Sequence, residues 1–347
     1  MGEMDTDEKF MRAAWREAQR GLGHTSPNPA VGAVVVRNGR IIARGWHQRA
    51  GQPHAEIEAI RALKNPVLAK GATIYVTLEP CSTHGRTPPC CDAIRAHGFA
   101  RVVVGATDPN PHHAGRGLKI LQQAGIAVTA GILAEECAAL NRPFNRWIVT
   151  GLPWVIAKAG LSLDGRLTRP PDEGQWLTSE QSRAHAMQLR TQVDAILVGA
   201  ETVRADNPKL NIRDLPEFAE KQPWRVILTR SGKLPKKAHV FTDAQRERTL
   251  VFTGKSLRAV LRELGRRQIT SVLIEGGGEV LGEAFDRRLV DEVHFYLAPL
   301  ICGGPTVIGG RGAGSSAAAT HLLEPRYERL GDDLWVSGLV APAKAGS

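Results

Sequence analysis

Residues 53–64 read PHAEIEAIRALK and residues 73–94 read TIYVTLEPCSTHGRTPPCCDAI. In the first stretch, Ala55 to Leu63 predicts a helix that opens directly behind Pro53 with His54-Ala55-Glu56. In the second, Thr73 to Leu78 is a short apolar, β-branched run suited to a buried strand. Glu79-Pro80-Cys81 follows that strand, and Pro88-Pro89-Cys90 precedes a helical stretch around Cys91 to His97. Residues two apart on a helix point to roughly opposite sides, because a turn takes 3.6 residues. His54 and Glu56 are therefore expected to have different roles, one as a ligand and one as a proton carrier.

A buried free cysteine alone is usually inert, and His-x-Glu alone is common. Together they match the zinc-deaminase signature of His-x-Glu followed by Pro-Cys-x-x-Cys. Zinc accepts imidazole nitrogen and thiolate, and three protein ligands leave a fourth position for water. Water so held ionises near neutral pH. His54, Cys81 and Cys90 are the expected ligands, and Glu56 would move a proton from that water to the departing amine. One departure is the spacing: the second cysteine lies nine residues after the first. The inserted segment, Ser82 to Pro89, brings Thr83, His84, Arg86 and Thr87 beside the metal. Cys91 is the alternative to Cys90, which is preferred because it directly follows the prolines.

Outward from this region, helical spacing predicts a first helix over about residues 7 to 20. Val31 to Val36 and Ile41 to Arg44 flank Asn38-Gly39, a hairpin with a type I′ turn. Arg101 to Ala106 is a second buried strand, and Gly117 to Ala124 a further helix. A break is expected at Asn141 to Pro153, which contains Pro143, Gly151 and Pro153. Another α/β pattern then begins, with strands at Trp154 to Ala159, Ala195 to Val198, Arg225 to Leu228, Leu250 to Phe252, Ser271 to Ile274 and Glu292 to Ala298. Ser179 to Arg190 and Ser256 to Arg266 are helices between them. Two α/β domains are expected, residues 1–147 and 148–347. Beyond about Gly303 the chain is rich in Gly and Ala, with disorder expected over Ala341 to Ser347.

The 347 residues fit two domains. The net charge of +10 suits anionic ligands, either nucleic acid or phosphorylated small molecules. No run of five basic residues resembles a nucleic-acid tail. Five cysteines, two of them adjacent, argue against a disulfide framework. No apolar stretch has the length of a membrane span, and the acidic N-terminus has no signal-peptide core. A cytoplasmic protein is expected.

The runs Thr25-Ser26-Pro27-Asn28-Pro29, His47 to Glu56 and Thr77 to Cys90 resemble the bifunctional deaminase–reductases of riboflavin biosynthesis. So do Asp108-Pro109-Asn110-Pro111, Ala159 to Arg166, Gln175-Trp176-Leu177-Thr178 and Ile274 to Gly278. The resemblance reaches about residue 300. It implies an N-terminal domain with the three-layer cytidine-deaminase fold and a C-terminal α/β domain with a dihydrofolate-reductase-like fold. It also implies two successive reactions on a phosphorylated pyrimidine, with zinc and NADPH as cofactors. Asn28, His47, Ser82 and His84 would hold the pyrimidine of the deaminase. Gly160, Trp176, Thr202, Asp206, Gly277, Gly278 and Glu279 would contact NADPH. Gly174, Arg190, Leu210, Arg213 and Glu275 would hold the reductase substrate. Gly174 stands where the family commonly has Ser, and Thr83 where it often has His. A homo-oligomer, dimer or tetramer, is implied as well.

Read from the residues alone, Ser271 to Glu275 is a strand running into Gly276-Gly277-Gly278 and then a helix from about Glu279. Glycines let a ligand approach the backbone closely, and free amides at a helix start favour phosphate. The element is not the GxGxxG fingerprint, so no Rossmann domain is expected. Arg190 and Arg213 suit a phosphate monoester, which a guanidinium grips with two bonds. Asp164, in the Ser-Leu-Asp-Gly turn, is expected to shape the substrate pocket. Two rival readings remain: a zinc-dependent tRNA adenosine deaminase with an accessory domain, and a non-catalytic zinc-stabilised module. The former has no need of the strand–glycine–helix loop or the arginine pair, and the latter would call for four protein ligands.

Overall fold

The computed structural model describes residues 3–84, 88–111, 113–167, 176–304 and 306–342. The chain divides into two compact units, Met1–Gly151 and Leu152–Ser347.

In the first unit, α1 (Glu3–Gln19) leads into a hairpin of β1 (Gly32–Arg37) and β2 (Arg40–Trp46). Asn38 and Gly39 at its tip have φ of 52° and 70°, the two left-handed residues a type I′ turn needs. There follow α2 (Ala55–Arg61), β3 (Thr73–Leu78), α3 (Cys90–Ala96), β4 (Arg101–Ala106), α4 (Arg116–Gln123), β5 (Ala127–Ala130), α5 (Ala134–Ala139) and α6 (Arg142–Thr150). The sheet order is β2-β1-β3-β4-β5. β3, β4 and β5 are parallel, and β1 is antiparallel to both its neighbours.

Two glycines fix the layers. A Cβ on Gly32 would lie 2.1 Å from the Ala14 carbonyl of α1, and one on Gly45 2.2 Å from the Ala59 amide of α2. Gly45 pairs with Ala33, the neighbour of Gly32. Neighbours along a strand face opposite ways, so α1 and α2 cover opposite faces. The unit is an α/β/α sandwich.

The stretch Asn141 to Pro153, where a break is expected, holds helix α6 and then, after Gly151, the boundary between the two units. Pro143 falls in its first turn, where the missing N–H would have had no partner, and Gly151 ends it at φ 69°. Residues read as breakers serve here as helix ends.

The second unit runs β6 (Trp154–Ser162), α7 (Glu180–Thr191), β7 (Ala195–Gly199), α8 (Ala200–Asp206), β8 (Trp224–Thr229), α9 (His239–Thr242), β9 (Thr249–Thr253), α10 (Leu257–Arg266), β10 (Ser271–Ile274), α11 (Gly278–Asp286), β11 (Glu292–Ala298), β12 (Leu322–Leu330) and β13 (Asp333–Val340). The sheet order is β12-β13-β11-β6-β10-β7-β8-β9. The six strands from β11 to β9 are parallel, and β13 is antiparallel to β11 and to β12. Both faces are covered. Val155, Ala157, Ala159 and Leu161 of β6 feed one core and Ile156 the other. Lys158 and Gly160 share the face of Ile156.

The sheet does not close with β11, as the sequence had suggested. β12 lies at the edge with most of its residues exposed, and its register shifts between Leu323 and Arg326, around Pro325. Charges, a proline and a bulge keep an edge strand from pairing further. They also hide it from an apolar pattern search.

Candidate active sites

The end of β3 and the starts of α2 and α3 bring His54, Cys81 and Cys90 together. Their ligating atoms lie within 4.8 Å of one another. His54 Nδ1 is 3.3 Å from Cys90 Sγ and 3.5 Å from Cys81 Sγ. Tetrahedral zinc with bonds of about 2.0 Å to nitrogen and 2.3 Å to sulfur needs an N···S separation of roughly 3.6 Å. The donor set therefore fits zinc. All five cysteines are free thiols.

Glu56, only 3% exposed, reaches the same cluster and hydrogen-bonds the Cys90 thiol. The expectation that positions 54 and 56 face opposite ways does not apply here. His54 is the N-cap of α2, with φ −74° and ψ 166°, so the rotation per helical residue does not relate the two side chains. Burial pushes the Glu56 carboxyl up to about 7, helped by the neighbouring Cys81 charge. Cys81 moves down to about 4, because the Cys90 thiol and His54 hydrogen-bond to it, and Cys90 moves up in response. The Cys90 amide, 3.2 Å from Cys81 Sγ, supports the same thiolate.

Cys91 turns away from this set. Its thiol hydrogen-bonds the carbonyls of Pro80 (3.4 Å) and Gly117 (3.8 Å), and burial pushes it up to about 12. It is a neutral donor.

Asn28 and His47 come together beside the cluster. His47 is 2% exposed, and its ring meets that of His54 edge-on at 5.2 Å. The Pro53 carbonyl, 3.0 Å from His47 Nδ1, can only accept, so Nδ1 carries the proton. Burial holds the ring below its usual pKa. The neutral Nε2 thus accepts from Asn28 Nδ2 at 3.1 Å, and Asn28 Oδ1 remains for another partner. Ser82 is half-buried and His84 exposed. Arg86 and Thr87 of the inserted segment lie outside the described residues.

In the second unit, Arg190, Leu210, Arg213 and Glu275 gather near β10. Arg190 Nε and Nη2 donate to the two Glu275 oxygens at 2.7 and 2.6 Å, and Nη1 donates to the Asn211 carbonyl at 2.7 Å. One edge of the Arg190 guanidinium is thus engaged by Glu275. Arg213, with its side chain 41% exposed, keeps an accessible charge. Leu210 is buried at φ 48°, in the left-handed region. Gly174 lies outside the described residues, as do residues 343–347 of the expected disordered tail.

One group at this site, Lys158, was missed from sequence. Lys158 interrupts the apolar strand β6, and burial lowers it against the opposing pull of Glu275. Its ammonium lies 5.7 Å from the ring centre of Tyr296, whose hydroxyl is 2.8 Å from His185 Nδ1. A lysine inside a buried apolar run was the available signal. Asp164 accepts from Ser162 Oγ (2.5 Å) and from the amides of Cys302 (3.1 Å) and Gly303 (2.8 Å). It fastens the turn after β6.

Of the expected cofactor residues, Gly277, Gly278 and Glu279 line a groove of about 1100 Å³. Gly276 and Gly277 take φ of 110° and 79°, a backbone that favours glycine. A Cβ on Gly277 would lie 3.6 Å from Thr202 Oγ1. Arg204, Arg230 and Lys255 also line the groove, Arg204 paired with Glu201 and Arg230 with Glu279, and the sequence reading had not picked them out. Gly160, Trp176, Thr202 and Asp206 are not among the groove's lining residues. Trp176 is 53% exposed and has the Arg183 guanidinium 5.5 Å from its ring centre. Gly160 stands on β6, where a Cβ would lie 3.2 Å from the Thr178 methyl.

A His-Cys-Cys set with a buried glutamate, ahead of a parallel-sheet unit with a glycine-lined groove, defines a zinc-dependent deaminase joined to a nucleotide-cofactor reductase. Comparison with known proteins sharpens this. Residues 4–106 match the cytidine and deoxycytidylate deaminase zinc-binding region, and residues 153–336 match the RibD C-terminal domain. Riboflavin biosynthesis protein RibD of Bacillus amyloliquefaciens is 40% identical, over 98% of each chain. That of Escherichia coli K12 is 42% identical over 86% of this chain and 89% of its own. The solved structure of Acinetobacter baumannii RibD superposes with a TM-score of 0.90 at 36% identity, covering 98% of this chain and 100% of that one. The Thermotoga maritima diaminohydroxyphosphoribosylaminopyrimidine deaminase/5-amino-6-(5-phosphoribosylamino)uracil reductase gives 0.87 at 35%, with the same coverage. The chain belongs to the RibD family of riboflavin biosynthesis. It is a bifunctional deaminase and reductase that uses zinc and NADPH, and its units have the cytidine-deaminase-like and dihydrofolate-reductase-like folds. The tRNA-deaminase reading is not favoured.

Proposed function

We propose that the first unit deaminates 2,5-diamino-6-(5-phosphoribosylamino)pyrimidin-4(3H)-one to 5-amino-6-(5-phosphoribosylamino)uracil. The second unit then reduces the ribosyl group to give 5-amino-6-(5-phosphoribitylamino)uracil. The observation that carries the first step is the buried Glu56 carboxyl against a His54, Cys81, Cys90 set that fits zinc. His54 through Nδ1, with the two thiolates, would hold the metal. When bound, zinc supplies the Lewis acidity that makes water a competent nucleophile near neutral pH. Glu56 takes a proton from that water at a carboxylate oxygen and gives it to the leaving amine, so ring C–NH2 and water become C=O and ammonia. Asn28 Oδ1, oriented by His47, faces the pyrimidine, and Ser82 and His84 border it.

In the second unit NADPH supplies the reducing equivalents. Gly277, Gly278, Glu279 and Thr202 would receive the cofactor, with Gly160, Trp176 and Asp206 in its nearer surroundings. Lys255 on the groove wall would favour its phosphates. Arg213 would take the substrate phosphate, while Arg190 holds Glu275 in place beside Leu210 and Lys158. Gly174 borders the same substrate in this reading.

A coupled assay tests both steps. NADPH oxidation should follow ammonia release from the diaminopyrimidine, and should begin at once when the deaminated product is supplied. Inosine formation in added tRNA would overturn the reading. The enzyme is taken to work on small molecules in the cytoplasm as a dimer or tetramer, which sedimentation at working concentration tests. Among the described residues no helix is long and apolar enough to cross a membrane.

A further inference from the structure

Glu79 is buried, 6% exposed, two residues before the ligand Cys81. Its carboxylate receives three backbone amides from one loop. Asp108 N (3.2 Å) and Gly115 N (2.9 Å) donate to Oε2, and Gly117 N (2.8 Å) donates to Oε1. That loop leaves β4 where Leu78 pairs with Ala106 in parallel register. The chain leaving β4 therefore runs beside Glu79-Pro80-Cys81 as it leaves β3. Cys91 adds a second fastening through its thiol to the Pro80 and Gly117 carbonyls, while its amide donates to the Cys81 carbonyl at 3.2 Å. Contact is close enough to require glycine at 117, where a Cβ would lie 2.3 Å from the Pro80 carbonyl oxygen.

We infer that Glu79 is a positioning residue of the deaminase. It sets the loop between Asp108 and Gly117 against the ligand-bearing segment and so fixes one wall of the substrate pocket. This rests on the deaminase reading above. All three partners of Glu79 are donors, and only a carboxylate offers acceptors on both oxygens. An amide in its place must point an NH2 group at a backbone N–H, so Glu79→Gln, nearly identical in shape, should release the loop. The ligands His54, Cys81 and Cys90 and the proton carrier Glu56 are left as they were.

The test uses the full-length zinc-loaded enzyme, with Glu79→Gln and, independently, Gly117→Ala, which pushes the same loop off Pro80 without touching the charge. Each variant should keep the zinc content of the unaltered enzyme and its reductase rate on the deaminated product. Each should raise the deaminase KM on the order of tenfold, which is about 1.4 kcal/mol of binding, while kcat stays within about twofold. The double variant should be no worse than the worse single one, because both break one clasp. If Glu79→Gln does not fold, the Gly117→Ala result decides. Unchanged KM in the variants overturns the inference, as do effects that multiply in the double variant. Zinc lost in step with activity also overturns it, since Glu79 would then act on Cys81 and not on the loop. Ammonia release by the unaltered enzyme is read first. A silent enzyme sinks the deaminase reading and this inference with it, whereas an active one indifferent to both changes sinks this inference alone.

Discussion

Arg190 grips Glu275 along one edge of its guanidinium, Nε to Oε1 at 2.7 Å and Nη2 to Oε2 at 2.6 Å. Both side chains are largely buried, 13% and 8% exposed. Burial by itself would raise the Glu275 carboxyl, but Arg190, Lys158 and Arg213 hold it below the usual glutamate range. A pair of this kind is costly to break from one side, because the remaining charge is stranded.

Arg190→Met should therefore destabilise the reductase unit by about 3–5 kcal/mol, read from its own transition in a urea titration. The pH dependence has a definite sign. A carboxyl depressed in the folded state contributes stability that is present above its unfolded value of about 4.3. That stability is lost as pH falls through the lower folded value. Without Arg190 the folded value rises toward or above the unfolded one, so the stability that this carboxyl loses on acidification should shrink or change sign. An acid-dependent loss from this unit as large as in the unaltered enzyme would contradict this account.

Glu56→Gln should bind zinc normally and lower the deamination rate by roughly 10²–10⁴-fold, the usual contribution of a positioned proton carrier. Reduction of the deaminated product should be unaffected. Ammonia release at more than about a tenth of the normal rate would remove Glu56 from the role proposed for it.

Asn28→Asp tests the orientation inferred for His47. A carboxylate cannot donate to Nε2, so the ring should take up a second proton and its pKa should move upward, visible in the imidazole NMR titration. The deaminase KM should rise roughly threefold to tenfold, the effect of one hydrogen bond. An unmoved imidazole titration would mean that the ring is held in some other way.

Arg213→Ala should raise the reductase KM for the phosphorylated substrate while NADPH binding, measured by fluorescence titration, stays intact. Weakened cofactor binding with an unchanged substrate KM would reassign Arg213 to the groove.

Much of the sheet framework was readable because buried parallel strands carry an uninterrupted apolar signal. Thr73–Leu78, Arg101–Ala106, Ser271–Ile274 and Glu292–Ala298 have the bounds their composition predicted. What escaped was structure whose signal comes from position. Pro143 and Gly151 looked like chain breakers, yet at the first turn and just past the last they bound a helix. The edge strand β12, LLEPRYERL, is charged because it faces solvent, so nothing apolar marked it. The short β5 and α5 went unread as well. In the candidate site, His54, Glu56, Cys81 and Cys90 were legible as residue types, but the argument from helical rotation failed because His54 lies outside the helix. The Arg190–Glu275 pair could not be foreseen, since 85 positions separate its members.

Asn141 bears on how much polypeptide the deaminase needs before it can work. Its side-chain amide closes both ways on Ala30, accepting from the backbone N at 2.7 Å and donating to the backbone O at 2.9 Å. Ala30 sits two residues after Asn28, so a residue 111 positions downstream helps to hold the segment presenting that side chain. A fragment ending at residue 106, where the zinc-binding region stops matching, would hold every metal ligand yet lack this tie to Ala30. During synthesis, deaminase competence should therefore lag behind formation of the metal cluster until the start of α6 has left the ribosome. For the same reason, an excised deaminase should be cut after Gly151, not at the edge of the conserved motif.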